Sequence, residues 1–114
     1  MEIEEKRIQE VPVLTVEGRI GYDETPRLKD TLSQLVEQGH KYLVLDMKNV
    51  SFMCSWAIGS ILTTNGRLRK NSGEIRLSRI KPELKELLDL LGLHGTLKSY
   101  PSTKEAVRAI RESD

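Results

Sequence analysis

The chain is short of the residues that usually announce chemistry: one cysteine, one tryptophan, one phenylalanine and two histidines in 114 residues. A single cysteine excludes an internal disulfide framework and any multi-cysteine zinc cluster, and it fits a reducing compartment. Neither sign of charge is in surplus. The 18 basic and 17 acidic side chains leave a net charge of +1, without the concentrated positive field that nucleic-acid binders gather on one face. No apolar run approaches the ~18–20 residues needed to span a bilayer. The charged opening MEIEEKRIQE also lacks the apolar core of a signal peptide. Signature motifs for acyl transfer, phosphate cradling, zinc proteolysis and dinucleotide binding are missing. These absences lead to the expectation of one cytoplasmic domain spanning residues 1–114. It is expected to have no catalytic set, cofactor or metal, no nucleic-acid partner and no membrane insertion.

Alternating strand and helix patterns fill the length. VPVLTVEG alternates as a strand, with Val11, Val13 and Thr15 on one face and Leu14 and Val16 on the other. Pro12 cannot donate a ladder bond, which places it at a strand start or an edge. Gly18 and Gly21 break the pattern. DETPRLKDTLSQLVEQG is then helical, with Thr25 as N-cap, Pro26 in the first turn, a stripe of Leu28, Leu32, Leu35 and Val36, and Gly39 as the stop. KYLVLDM suits a central strand buried on both faces. After KNVSFM, a helix runs from about Ser55 to Lys70 on Ile58, Ile61, Leu62 and Leu68. EIRLSRI gives another strand, KPELKELLDLLG a helix ended by Gly92, LHGTLKSY a short strand, and PSTKEAVRAIRESD a helix capped by Ser102 or Thr103. The fold class is α/β: a mixed, mostly parallel sheet of about four to five strands with about four helices.

The segment FMCSWAIGS holds the lone cysteine and the lone tryptophan on either side of Ser55. As an N-cap, Ser55 would accept a hydrogen bond from the amide of Ala57 or Ile58, contributing on the order of 1 kcal/mol. The same position lies at the positive end of a helix dipole, where a phosphoryl group is tolerated. Cys54 is either a small buried hydrophobe or a thiol activated by the helix N-terminus. Trp56 shares a helix side with Gly59, Ser60, Thr63, Arg67 and Lys70, a small and polar side that predicts exposure, the alternative being a partly buried boundary tryptophan. Exposed tryptophans anchor interfaces. His40 and His94 both follow predicted helix ends, and nothing in the pattern brings either to Ser55 or Cys54.

The element order and the segments LVLDMKNVSFMCSWAIGSIL, NSGEIRLSRIKPELKELLDLLGL and STKEAVRAI resemble a STAS domain, in its branch of bacterial anti-sigma factor antagonists. Members of that branch carry Asp-Ser-Ser-Gly-Leu-Gly at the helix start, and its first serine accepts phosphate from a kinase that is also the anti-sigma factor. In this chain the motif's positions are Cys54, Ser55, Trp56, Ala57, Ile58 and Gly59, with Asp46 matching the aspartate that ends the preceding strand. Gly21 stands where the family has an acidic residue. The resemblance implies an anti-sigma factor/serine kinase partner, phosphorylation of Ser55, and a partner surface of Cys54, Ser55, Trp56, Gly59, Ser60, Thr63, Gly21 and Tyr22. A weak homodimer remains open. Two other readings are a STAS interaction module that is never phosphorylated (a scaffold or a transporter-associated subunit anchored by Trp56), and a small-ligand or nucleotide sensor using the Gly18–Tyr22 loop.

Overall fold

The computed structural model describes residues 1–113, with side chains through Glu112. Among them the chain forms β1 (Glu2–Ile8), β2 (Val11–Ile20), α1 (Thr25–Glu37), β3 (Tyr42–Met53), α2 (Ser55–Arg69), β4 (Glu74–Ser78), α3 (Pro82–Leu90), β5 (Ser99–Tyr100) and α4 (Thr103–Ser113). The strands lie side by side in sequence order. β1 runs antiparallel to β2, and every later pair is parallel.

The alternation seen in β2 sorts the core. Leu14 and Val16 face a large cluster with Leu28, Leu32, Leu45, Ile61 and Leu84, so α1, α2 and α3 cover that side. Val11 and Val13 face a smaller cluster with Val44, Ala106, Val107 and Ile110, under α4. Burial of β3 on both faces follows, because Val44 and Leu45 point into opposite clusters. α4 is fixed at its start by Ser102: the Glu105 amide donates to Ser102 Oγ, an N-cap bond, and the hydroxyl in turn donates to Glu105 Oε2.

Three local expectations are corrected: the end of β3 and the two helix N-caps. β3 does not end at Met47 but continues to Met53. Its far half pairs with β2 alone, from Glu17↔Asn49 to Ile20↔Met53, across two register shifts. Pro12 is the second residue of β2, which is the strand-start alternative of the two expected, although the strand itself is interior. The proline precedes the first β2–β3 pair, Val13↔Val44, so its missing N–H costs that ladder nothing. The N-cap of α1 is Glu24 and that of α2 is Cys54, each one residue before the expected position. Ser55 is therefore the first helical residue and not a cap.

Candidate functional site

The site is built where β2 and β3 end together. Ile20 pairs with Met53, and the Cys54 amide donates to the Ile20 carbonyl at 2.9 Å, extending the ladder by one bond. The chain leaving β2 and the chain entering α2 therefore emerge side by side. Thr25 joins them. Its hydroxyl donates to the Gly21 carbonyl at 2.8 Å and contacts Cys54 Sγ at 3.4 Å. Gly21 donates its amide to Glu24 Oε1 at 2.8 Å, and a Cβ at Gly21 would stand 3.0 Å from that same oxygen. The small residue lets Glu24 fold back over the turn.

On this base sits an aromatic pair. Tyr22 and Trp56 stack with ring centroids 6.2 Å apart, planes inclined by 28°, within the range of favourable offset stacking. The two side chains are 62 % and 42 % exposed. Ser55 is also exposed, and its Oγ shares a 3.1 Å hydrogen bond with the Tyr22 hydroxyl. Beside them Arg19 lies over the Phe52 ring, 4.0 Å from its centroid, in cation–π contact. Neither Arg19 nor Phe52 was singled out by sequence, because their pairing depends on the strand register Arg19↔Phe52.

The predicted partner surface divides. Ser55, Trp56, Tyr22 and Thr63 are exposed, while Gly21 and Gly59 are half-buried. Cys54 and Ser60 are buried, at 5 % and 6 % exposure, so neither presents its side chain to a partner; both belong to the support. Ser60 turns inward because its hydroxyl donates to the Trp56 carbonyl one turn back. Burial pushes the Cys54 thiol pKa up. The Thr25 hydroxyl and the amides of Ala57, Trp56 and Cys54 outweigh it, leaving the thiol below its ordinary 9.0. The sulfur lies near these amides without completing a capping hydrogen bond.

Among the described residues the hydrogen-bond partner of Ser55 Oγ is the Tyr22 hydroxyl and not a histidine or a carboxylate. His40 precedes β3 and Ser55 follows it, so the full length of a 12-residue strand separates them. Asp46, which is 1 % exposed, is bridged by Arg79, whose Nε donates to Oδ1 at 2.9 Å and whose Nη2 donates to Oδ2. That carboxylate is a structural clip between β3 and the end of β4. Among the described residues no cluster of His, Cys, Asp and Glu could hold a metal ion, and no helix is long and apolar enough to cross a membrane. What remains is a receptive hydroxyl framed by aromatic rings.

Comparison with known proteins identifies the family and the fold. The profile of the STAS domain matches residues 2–106. The anti-sigma-B factor antagonist of Bacillus subtilis (strain 168) is 31 % identical over 80 residues, covering 70 % of this chain and 72 % of that protein. The anti-sigma F factor antagonist of Paenibacillus polymyxa is 22 % identical over 108 residues, covering 94 % and 92 %. The crystal structure of an anti-sigma factor antagonist from Mycobacterium paratuberculosis superposes with a TM-score of 0.86 at 25 % identity, over 96 % of this chain and 93 % of that one. With a profile match across nearly its whole length and the five-stranded mixed sheet to go with it, the chain belongs to the STAS domain family.

Proposed function

We propose that this STAS domain is an anti-sigma factor antagonist that works by partner switching, with Ser55 as its phospho-acceptor. The observation that carries the reading is the placement of Ser55. Ser55 is exposed in the first turn of α2, and its hydroxyl shares a hydrogen bond with the phenol of the exposed Tyr22. In the unmodified state the Tyr22–Trp56 face and the start of α2 dock on the anti-sigma factor, which frees a sigma factor. The partner, a serine kinase, then transfers the γ-phosphoryl group of ATP. A P–O bond forms to Ser55 Oγ, the bond to the ADP oxygen breaks, and the serine proton passes to a base of the kinase. The product carries about −1.5 to −2 charges. At a desolvated interface, like charges cost several kcal/mol, and each 1.4 kcal/mol is tenfold in affinity. One phosphate is then enough to release the partner.

The test is incubation with purified anti-sigma kinases of the source organism and ATP, followed by mass spectrometry of the peptide containing Ser55. Stoichiometric phosphate on Ser55, abolished by Ser55→Ala, is expected. Transfer to another residue that is unaffected by Ser55→Ala rejects the assignment. The exposed stack of Trp56 on Tyr22 also favours a second reading, a docking module never phosphorylated. It predicts that Ser55→Asp leaves affinity unchanged, whereas Trp56→Ala weakens it by more than about 1–2 kcal/mol.

A further inference from the structure

Between α1 and α2 runs a groove of about 310 Å³ that begins at Trp56 and ends at Arg67. α1 contributes Lys29 and Ser33, one turn apart; α2 contributes Trp56, Gly59, Thr63 and Arg67. The groove has depth because of Gly59: a Cβ built there meets nothing within 4 Å. Its far end is closed by Arg67, whose Nη1 donates to Ser33 Oγ at 2.9 Å and so ties the two helices together.

The charged residues that line the groove, Lys29 and Arg67, are both cationic. From Ser55 to Lys70, α2 and its cap carry Arg67, Arg69 and Lys70 and not one carboxylate, although the chain as a whole is close to neutral. Lys29 adds a cation on the opposite wall, and no carboxylate among the described residues lines the groove. A surface of this sign selects carboxylates and rejects cations, through orientation and encounter rate more than through raw affinity.

We infer that the α1–α2 groove receives an acidic segment of the anti-sigma partner, with Trp56 as the anchor at its mouth and Lys29 and Arg67 as its cationic walls. The inference rests on the function proposed above and specifies the partner's chemistry at that same interface. It also explains how one phosphate can break the complex. Ser55 and Gly59 are four residues apart on α2, about 6 Å along the axis. That is shorter than the ~8 Å screening length at physiological salt. A phosphate on Ser55 therefore repels any carboxylate seated in the groove, at the end where the segment enters.

Two measurements test it. In the first, the 15N-labelled protein is titrated at low salt with a 20-residue poly-L-glutamate peptide. The amides of Gly59 and Thr63 should shift, and Lys29→Glu/Arg67→Glu should abolish the shift. Unmoved Gly59 and Thr63 amides overturn the groove's chemistry, whichever other cations of the protein respond. In the second, affinity is measured for each purified anti-sigma factor of the source organism. Lys29→Glu/Arg67→Glu should weaken binding at least tenfold and Lys29→Arg should not. Gly59→Leu keeps every charge and fills the groove, and it should weaken binding by a similar factor with an unchanged or higher Tm. A wild-type protein that binds none of these factors overturns the proposed function. A wild type that binds and is phosphorylated on Ser55, with the double variant and Gly59→Leu both within twofold of it, overturns only the groove assignment.

Discussion

The thiol of Cys54 lies buried against Thr25, while the hydroxyl of Ser55, one residue on, faces solvent beside Tyr22. Strand alternation alone would turn Cys54 outward after the buried Met53; as the N-cap of α2 it instead joins the core, and Ser55 opens the helix on the solvent side. The sequence reading placed both residues at the interface because spacing cannot resolve a one-residue shift in the cap. The buried thiol has a measurable consequence. Folding lowers its pKa, so the unfolded state holds its proton to higher pH and stability climbs with pH through this group. The gain is absent below the depressed folded-state pKa and complete above the ordinary value of 9.0. Urea denaturation of wild type and Cys54→Ala at stepped pH values should show a stability difference that grows as pH rises through this window and then levels off. A difference independent of pH contradicts the role of Thr25 and the helix amides in favouring the thiolate.

At the scale of elements, glycines in superficially similar polar settings have opposite roles. Gly59 lies inside α2 with open space where its Cβ would be, so Gly59→Ala should raise stability by about 0.5–1 kcal/mol through the restored helix preference. Thermal unfolding should show a Tm higher by several degrees. Gly73 enters β4 with its backbone against that of Lys41, and a Cβ there would stand 1.7 Å from the Lys41 carbonyl oxygen. Gly73→Ala must push β3 and β4 apart where their parallel pairing starts, at Tyr42↔Glu74. Overpacking against backbone costs about 1–3 kcal/mol or more, so a clearly lower urea midpoint is expected. In sequence the NSGE segment shows only a turn; the close approach is a long-range fact.

The same distinction explains which elements were legible. β2 and the amphipathic helices were readable because their apolar residues have to face a core. The second half of β3 was not: Lys48, Asn49, Ser51 and Phe52 are exposed, since that stretch outruns β4 and carries no two-sided burial pattern. The β1–β2 hairpin turns through Gln9 and Glu10 at φ 50° and 71°, values that a tight hairpin requires and that Asn-Gly usually supplies. Gln-Glu gave no such signal.

For the molecule as a whole, the position of Ser55 separates switching from folding. Strand ends, the Thr25 bridge and the Asp46–Arg79 clip hold the fold from below, and the hydroxyl lies outside all of them. A negative charge in the first turn of a helix is favourable by about 0.3–1 kcal/mol at exposed sites, and α2 has no acidic residue there to compete. Ser55→Asp loses only the exposed hydrogen bond to Tyr22. The two effects are small and of opposite sign, so the variant should match wild-type stability to within about 0.5 kcal/mol, as surface substitutions commonly do. Local order is a separate matter, because the carboxylate replaces the hydroxyl that met the Tyr22 phenol, and Tyr22 stacks on the only tryptophan. Trp56 emission should therefore change while the denaturation midpoint and the amide-exchange protection of β3 do not. A collapse of core protection in Ser55→Asp would mean that a charge at this position acts through unfolding, and the docking face would no longer be the place where the signal is read.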